Sequence, residues 1–389
     1  MLPTTNKQAG FVSLFTVIFF MLLITVITVG FLRIMALEQR QSLDNDLTAS
    51  ALAAANSGVE DGKRALLAYY DPSTNSALKT DLTNAFAPGN TNCDSLTGLS
   101  SVQTQLGITG QAVGSSSLNQ SYTCLNVQLN SPDYLGSSQA SQSEIFPLRG
   151  VANYDQIKVS WHLLSNSIGS DGDGKPSSLV PLVPQSLLPQ TGGVQNWSGQ
   201  GYPAYLRVQL FGYPNGNFTR TDLNARSRTV FLVPVQSGGA SVIDLGAADP
   251  AHTFGTAKGS PNTNVQCGTD FTQVGTYLCT ATLALPAGAT YLSSANNYYL
   301  RLTPIYGATH FRVQLYDSST SSTINLKDVQ PLIDVTGKAQ DVYRRLQVRV
   351  RVNAITGLPE FAAESANTIC KNMQVADGSA GSWLLNNCP

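Results

Sequence analysis

Charge, histidine and catalytic spacing are all scarce in this chain of 389 residues. Only 12% of the residues are charged, and 23 Lys and Arg stand against 24 Asp and Glu. The formal net charge of -1 leaves no global electrostatic case for nucleic acid or anionic lipid as a partner. The histidines at 162, 252 and 310 stand alone, and no C-x-x-C, G-x-S-x-G or H-E-x-x-H spacing occurs. Neither an enzyme nor a metal or other cofactor is expected. Proline is missing from the whole of residues 11–70, so nothing there forces a helix to break.

What stands in that proline-free stretch organises the chain. Residues 11–32 read FVSLFTVIFFMLLITVITVGFL, twenty-two residues without a charge. As a helix rising about 1.5 Å per residue they are just long enough to cross about 30 Å of hydrocarbon. Ten residues precede them, MLPTTNKQAG, with one cation at Lys7 and Gly10 directly before the apolar run. A secretory signal peptide would close an apolar core of about 7–15 residues with a small-residue cleavage site. This run instead continues through Arg33 into ALEQRQSLDNDLTASALAAANSGVEDGKRALLAYY, weakened as a helix only at Gly30, Gly58 and Gly62. One helix is expected over 11–70, half in lipid and half outside, ended by Tyr69, Tyr70, Asp71 and Pro72.

The outer half places Leu37, Leu43, Leu47, Ala51, Ala54 and Val59 near one face. The small residues Ala53, Ala54, Ala55, Ser57 and Gly58 would let a second helix or a sheet approach closely. Packing under the chain's own β-domain and contact with other subunits are both open readings of that surface.

A short basic leader ending in Gly10, then Phe11, then an uncharged run extending into an amphipathic helix resembles the N-terminus of type IV pilins and pseudopilins. The stretch ALAAANSGVEDGKRAL is similar to the helix of PilX-like minor pilins. The resemblance implies a leader over 1–10, cut between Gly10 and Phe11 by a prepilin peptidase that methylates the new N-terminus. It implies membrane lipid before assembly, an inner-membrane assembly platform, and other pilin subunits as partners in a filament. Most pilins carry a glutamate at the fifth mature position, and here that position is Phe15. A carboxylate in hydrocarbon signals a specific partner, so its replacement removes one assembly contact and fits a tip or priming subunit. A membrane-tethered adhesin or receptor domain that never assembles is the alternative.

Beyond the helix the expected class is α+β, with a large antiparallel β-rich region outside the cytoplasm. Six cysteines, none in the apolar segment, read as a disulfide framework with fifteen connectivities open, of which the sequential set closes the shortest loops. That set is Cys93 with Cys124, Cys267 with Cys279 and Cys370 with Cys388. A variable region and a first sheet are expected over 71–237 and a second sheet over 238–389, with a soft boundary near Gly238. Residues 73–148 read as mostly irregular, with a short helix near 76–86 and a strand over 122–129. YDQIKVSWHLL, AYLRVQLFGY and RSRTVFLVPV alternate as strands, and NNYYLRLTPIYG, HFRVQLYD and YRRLQVRVRV echo them in order. Two related sheets and simple convergence of amphipathic strands both account for the echo.

Two patterns imitate chemistry. GSDGDGK at 169–175 fits the start of a phosphate-binding loop, but Pro176 stands where a serine or threonine is needed, and Asp171 and Asp173 would repel phosphate. A loop within the insertion 165–203 is expected instead. Arg345, Gln347, Arg349 and Arg351 share one face of a strand, with Arg344 beside them. The expectation is a solvated face paired with carboxylates on neighbouring strands rather than a nucleic-acid site.

Overall fold

The computed structural model describes residues 9–90, 92, 93, 95–110, 119–163, 170, 171, 175, 176, 202–214, 227–235, 239, 242–245, 262–268, 277–286 and 296–351. Three helices, α1 (Ala9–Tyr70), α2 (Ser76–Ala85) and α3 (Ser100–Leu106), precede the strands. The strands run β1 (Ser121–Ser131), β2 (Tyr134–Ser138), β3 (Glu144–Pro147), β4 (Gln156–Leu163), β5 (Ser170–Asp171), β6 (Lys175–Pro176), β7 (Tyr205–Pro214) and β8 (Arg228–Val235). They continue through β9 (Val242–Asp244), β10 (Asn262–Gln266), β11 (Tyr277–Ala284), β12 (Asn296–Ile305), β13 (Thr309–Asp317), β14 (Ser322–Ile324), β15 (Leu326–Ala339) and β16 (Val342–Arg349). The protein is therefore α+β, one long apolar N-terminal helix followed by several sheets, mostly antiparallel.

The chain divides into two compact units that interleave along the sequence. The first comprises residues 1–134, 149–156 and 314–355, and the second comprises residues 135–148, 157–313 and 356–389. Neither boundary follows a chain-order division at Gly238.

In the first unit α1 is built for two surroundings. Its side chains from Leu14 to Asp46 are exposed, and burial begins at Leu47. From there Leu47, Ala51, Ala54, Ala55, Gly58, Val59, Gly62, Ala65 and Leu66 are buried, the stripe that steps of three and four residues produce. Leu37 and Leu43, expected on the same face, lie beyond the end of the sheet and stay exposed. The stripe packs on the sheet β1-β15-β16. Contact is close enough to require glycine on both sides. A Cβ on Gly337 of β15 would stand 2.1 Å from the Ala51 carbonyl oxygen and 2.4 Å from the Ala55 nitrogen. One on Gly58 would meet Val335 at 2.5 Å, and one on Gly62 would meet Ile333 at 2.8 Å. Of the two readings of the small-residue surface, packing under the chain's own sheet is thus the one present.

The strand that receives the helix, β15, escapes the sequence reading although it is the longest. Pro331 and Gly337 interrupt its alternation, and both argue against a central strand. Register against β1 shifts between Gln128 and Asn130, with Asp328 at φ 56°, and Pro331 falls within that irregularity rather than in the regular ladder. Residues 73–148, expected to be mostly irregular, hold α2, α3 and β1 to β3. Asn75 caps α2, its side-chain oxygen accepting from the Ala77 N–H at 2.8 Å, and Gly107 at φ 66° closes α3.

The second unit contains the sheet β10-β8-β7-β12-β3, the strands β4, β11 and β9, and the part of β13 up to Val313, beside which β4 lies. Ile157, Val159 and Trp161 of β4 are wholly buried, as their alternation predicts. The Trp161 indole N–H donates to the Ala204 carbonyl at 2.9 Å. The two echoing triplets do not form two related sheets. β12 lies beside β7, β4 beside β13, and β16 belongs to the first unit, so the echo reflects convergent amphipathic strands. Of the GSDGDGK segment, expected as a loop, the described residues Ser170 and Asp171 form β5, which pairs antiparallel with β6 at Lys175 and Pro176.

Gly337→Ala is expected to destabilise the full chain in detergent by about 2 kcal/mol or more, because the added methyl meets helix backbone. Gly30→Ala, whose added Cβ meets nothing within 4 Å, is the control and should be neutral or slightly stabilising. Urea denaturation followed by circular dichroism separates them, and an equal response of both would contradict this packing.

Candidate functional site

Gly10 and Phe11 lie in the first turns of α1, where the helical backbone runs without interruption into the apolar segment. Phe15 follows on the same helix and is 69% exposed. The segment that begins at Leu14 is long and apolar enough to cross a membrane, and none of its apolar window is buried against the protein. Its polar groups are consistent with that surrounding. The Thr25 hydroxyl donates to the Leu22 carbonyl at 2.8 Å, and the Thr28 hydroxyl to the Ile24 carbonyl at 2.7 Å. Both are satisfied inside the helix, as hydrocarbon requires.

The docked half of α1 is fixed by polar contacts as well as by packing. The Tyr122 hydroxyl donates to Asp61 Oδ2 at 2.7 Å and accepts from the Gly110 N–H at 3.2 Å. Arg64 pairs with Asp61 at 3.3 Å and donates to the Leu106 carbonyl at 2.8 Å. Burial and the Asp61 carboxylate together raise the Tyr122 phenol well above its ordinary value. These contacts tie helix, sheet and the end of α3 to one another. Sequence gives no sign of them, since Asp61 and Tyr122 are 61 positions apart.

Two arginines of β16 are paired with carboxylates of the protein itself. Arg345 grips Asp334 through Nε at 2.8 Å and through Nη2, and Gln347 donates to the same carboxylate at 2.8 Å. Those hydrogen bonds, that of Arg345 foremost, hold Asp334 below the usual carboxylate range. Arg349 pairs with Asp133 at 2.6 Å, and Arg344 donates to Thr48 of α1 at 3.0 Å. Leu346 and Val348 turn inward against the helix-bearing core.

The structure joins Cys93 to Cys124 in the first unit and Cys267 to Cys279 in the second. Cys370, Cys388 and His252 lie outside the described residues. An apolar N-terminal helix and disulfide-bonded units fit a membrane anchor with its body in an oxidising, extracytoplasmic space. His310 is exposed, whereas His162 is buried at the end of β4. Its backbone N–H donates to the Thr309 hydroxyl at 3.1 Å, and its φ of 63° ends the strict alternation of the strand. Among the described residues no three His, Cys, Asp or Glu side chains are grouped to hold a metal. Comparison with protein-family models, with curated proteins and with solved structures finds no match.

Burial pushes the His162 imidazole down to about 4 from its ordinary 6.5. The folded chain therefore keeps it neutral while the unfolded chain takes up a proton. Stability contributed by the neutral ring is complete above about pH 6.5 and is lost as pH falls toward about 4, on the order of 3 kcal/mol in all. Urea denaturation between about pH 7 and pH 4.5 should show this loss in the wild type and a shallower one in His162→Gln. Identical slopes would place the imidazole in water.

Proposed function

We propose that this chain is a subunit of a type IV pilus-like filament, a minor pilin or pseudopilin, cut after Gly10 and assembled through α1. The observation that carries the reading is the division of one unbroken helix into two halves. Residues 47–66 are consumed by the chain's own sheet, while 14–32 present an uncharged, exposed and mostly apolar surface. Such a half is stable in lipid or among copies of itself, and transfer between those surroundings is the chemistry of pilin assembly. At about 25 cal/mol per Å² of apolar surface, packing even a modest part of the helix into a shaft is worth several kcal/mol. The partners are then other pilin subunits, a prepilin peptidase acting at Gly10 and Phe11, and an inner-membrane assembly platform. No catalytic step belongs to this reading.

Phe15 favours a second reading. With no carboxylate at the fifth mature position, the chain lacks the contact by which most pilins pair with a neighbour's N-terminal amine, as a membrane-tethered adhesin or receptor that never assembles would, although a tip position within the filament accounts for the same absence. Processing separates the two. Intact mass and N-terminal sequence of the protein from sheared surface filaments, and separately from membranes, are expected to give a chain beginning at methylated Phe11 in the sheared fraction. A Met1 chain confined to membranes would leave the tethered domain as the function.

A further inference from the structure

Two arginines in the second unit have, among the described residues, none of the carboxylate partners that Arg345 and Arg349 of β16 possess. Alternation along β7, β8 and β12 puts Arg207, Gln209, Phe231, Arg301 and Thr303 on one face of the sheet, opposite the buried Leu206, Val208, Leu300 and Leu302. In register, Thr303 lies across from Arg207 and Arg301 across from Gln209. The arginines are therefore diagonal neighbours on adjacent strands, roughly 7–8 Å apart by sheet geometry and within reach of one another's long side chains.

Both are half-buried, and the Nε of each is shielded from solvent with no hydrogen-bond partner among the described residues. No described carboxylate forms an ion pair with either. Burial first, and then the Arg301 charge, hold the Arg207 guanidinium below its usual value. Like charges placed so destabilise a sheet, and buried guanidinium donors left unpaired add to the cost. Their surroundings suit an acceptor between them. Phe231 stands across from Arg207 on β8. Beside Arg207, the Thr303 and Ser143 hydroxyls share one hydrogen bond at 2.8 Å, which leaves one O–H of the pair to donate elsewhere. Gln209 is turned to Thr229, to which its amide donates at 3.0 Å, and offers the arginines no charge.

We propose that Arg207 and Arg301 form an oxyanion-binding site on the face of the sheet β10-β8-β7-β12-β3, receiving a carboxylate or phosphate group between the two guanidiniums. The planar forks supply paired donors, the anion cancels their repulsion, and the hydroxyl pair completes one side. This site is independent of the helix and of the filament reading.

The test uses the full chain in neutral detergent, titrated calorimetrically with inorganic phosphate and, separately, with acetate, against chloride at matched ionic strength. Saturable binding of at least one anion is expected, weakened about tenfold or more in Arg207→Gln and in Arg301→Gln, and less so in Arg301→Lys, which keeps the charge and loses the fork. Preference for phosphate or for acetate assigns the headgroup, and binding of both assigns the shared oxyanion chemistry. In chloride, Arg207→Gln should melt at or above the wild-type temperature, because it removes a repulsion; in saturating anion only the wild type should gain. Absence of saturable binding in the wild type, equal binding in Arg207→Gln, or a lowered melting temperature of that variant in chloride would each overturn the proposal.

Discussion

The close approach of helix backbone to strand backbone is the contact on which the first unit depends. Gly337 admits Ala51 and Ala55, while Gly58 and Gly62 admit Val335 and Ile333. With the backbones this near, the helix cannot slide or rotate by a residue without driving a side chain into the opposing main chain. Dense interiors resist such shifts because they have two discrete arrangements rather than a continuum. The helix is held in one register, and its remaining half is carried outward as a rigid continuation.

That register is achieved late in the chain. The residues that meet α1 stand on β15 and β16, and the Arg344 to Thr48 contact spans 296 positions. A contact of that separation requires most of the chain to be present before it can form. The two disulfides among the described residues follow the opposite logic, closing separations of 31 and 12 within single units. Local covalent closure restricts the unfolded chain over short loops, whereas the docking of the helix rests on contacts from the far end of the chain.

Legibility in the sequence divides along the same line. The helix was readable because sixty residues without proline need no partner to declare themselves, and β4, β7, β8, β12, β13 and β16 because alternation is a local signal. β15 was not, since Pro331 and Gly337 are the marks of an edge or a turn until the bulge at Asp328 and the helix at Ala51 explain them. The small-residue stripe announced that something comes close without saying what. The repeated Arg-Val-Gln-Leu pattern left two readings open for a related reason: half-exposed strands share one vocabulary whichever sheet they join. The arginine face of β16 could be read as solvated, but not its partners, because Asp133 and Asp334 are brought to it only by the fold.

The same side chain therefore carries opposite meaning in the two units. On β16 Arg345 and Arg349 meet carboxylates of their own protein and Arg344 a hydroxyl of α1, and such surface contacts add little net energy. On β7 and β12 a guanidinium pair sits half out of water beside hydroxyls and an aromatic ring, with no acid among the described residues to answer it. Half-burial raises the value of whatever charge completes the pair, because fewer solvent dipoles compete with it. A cationic strand in a chain of net charge -1 is thus informative only once its counter-charges are placed. Placement, which depends on register, is what distinguishes a solvated face from a site.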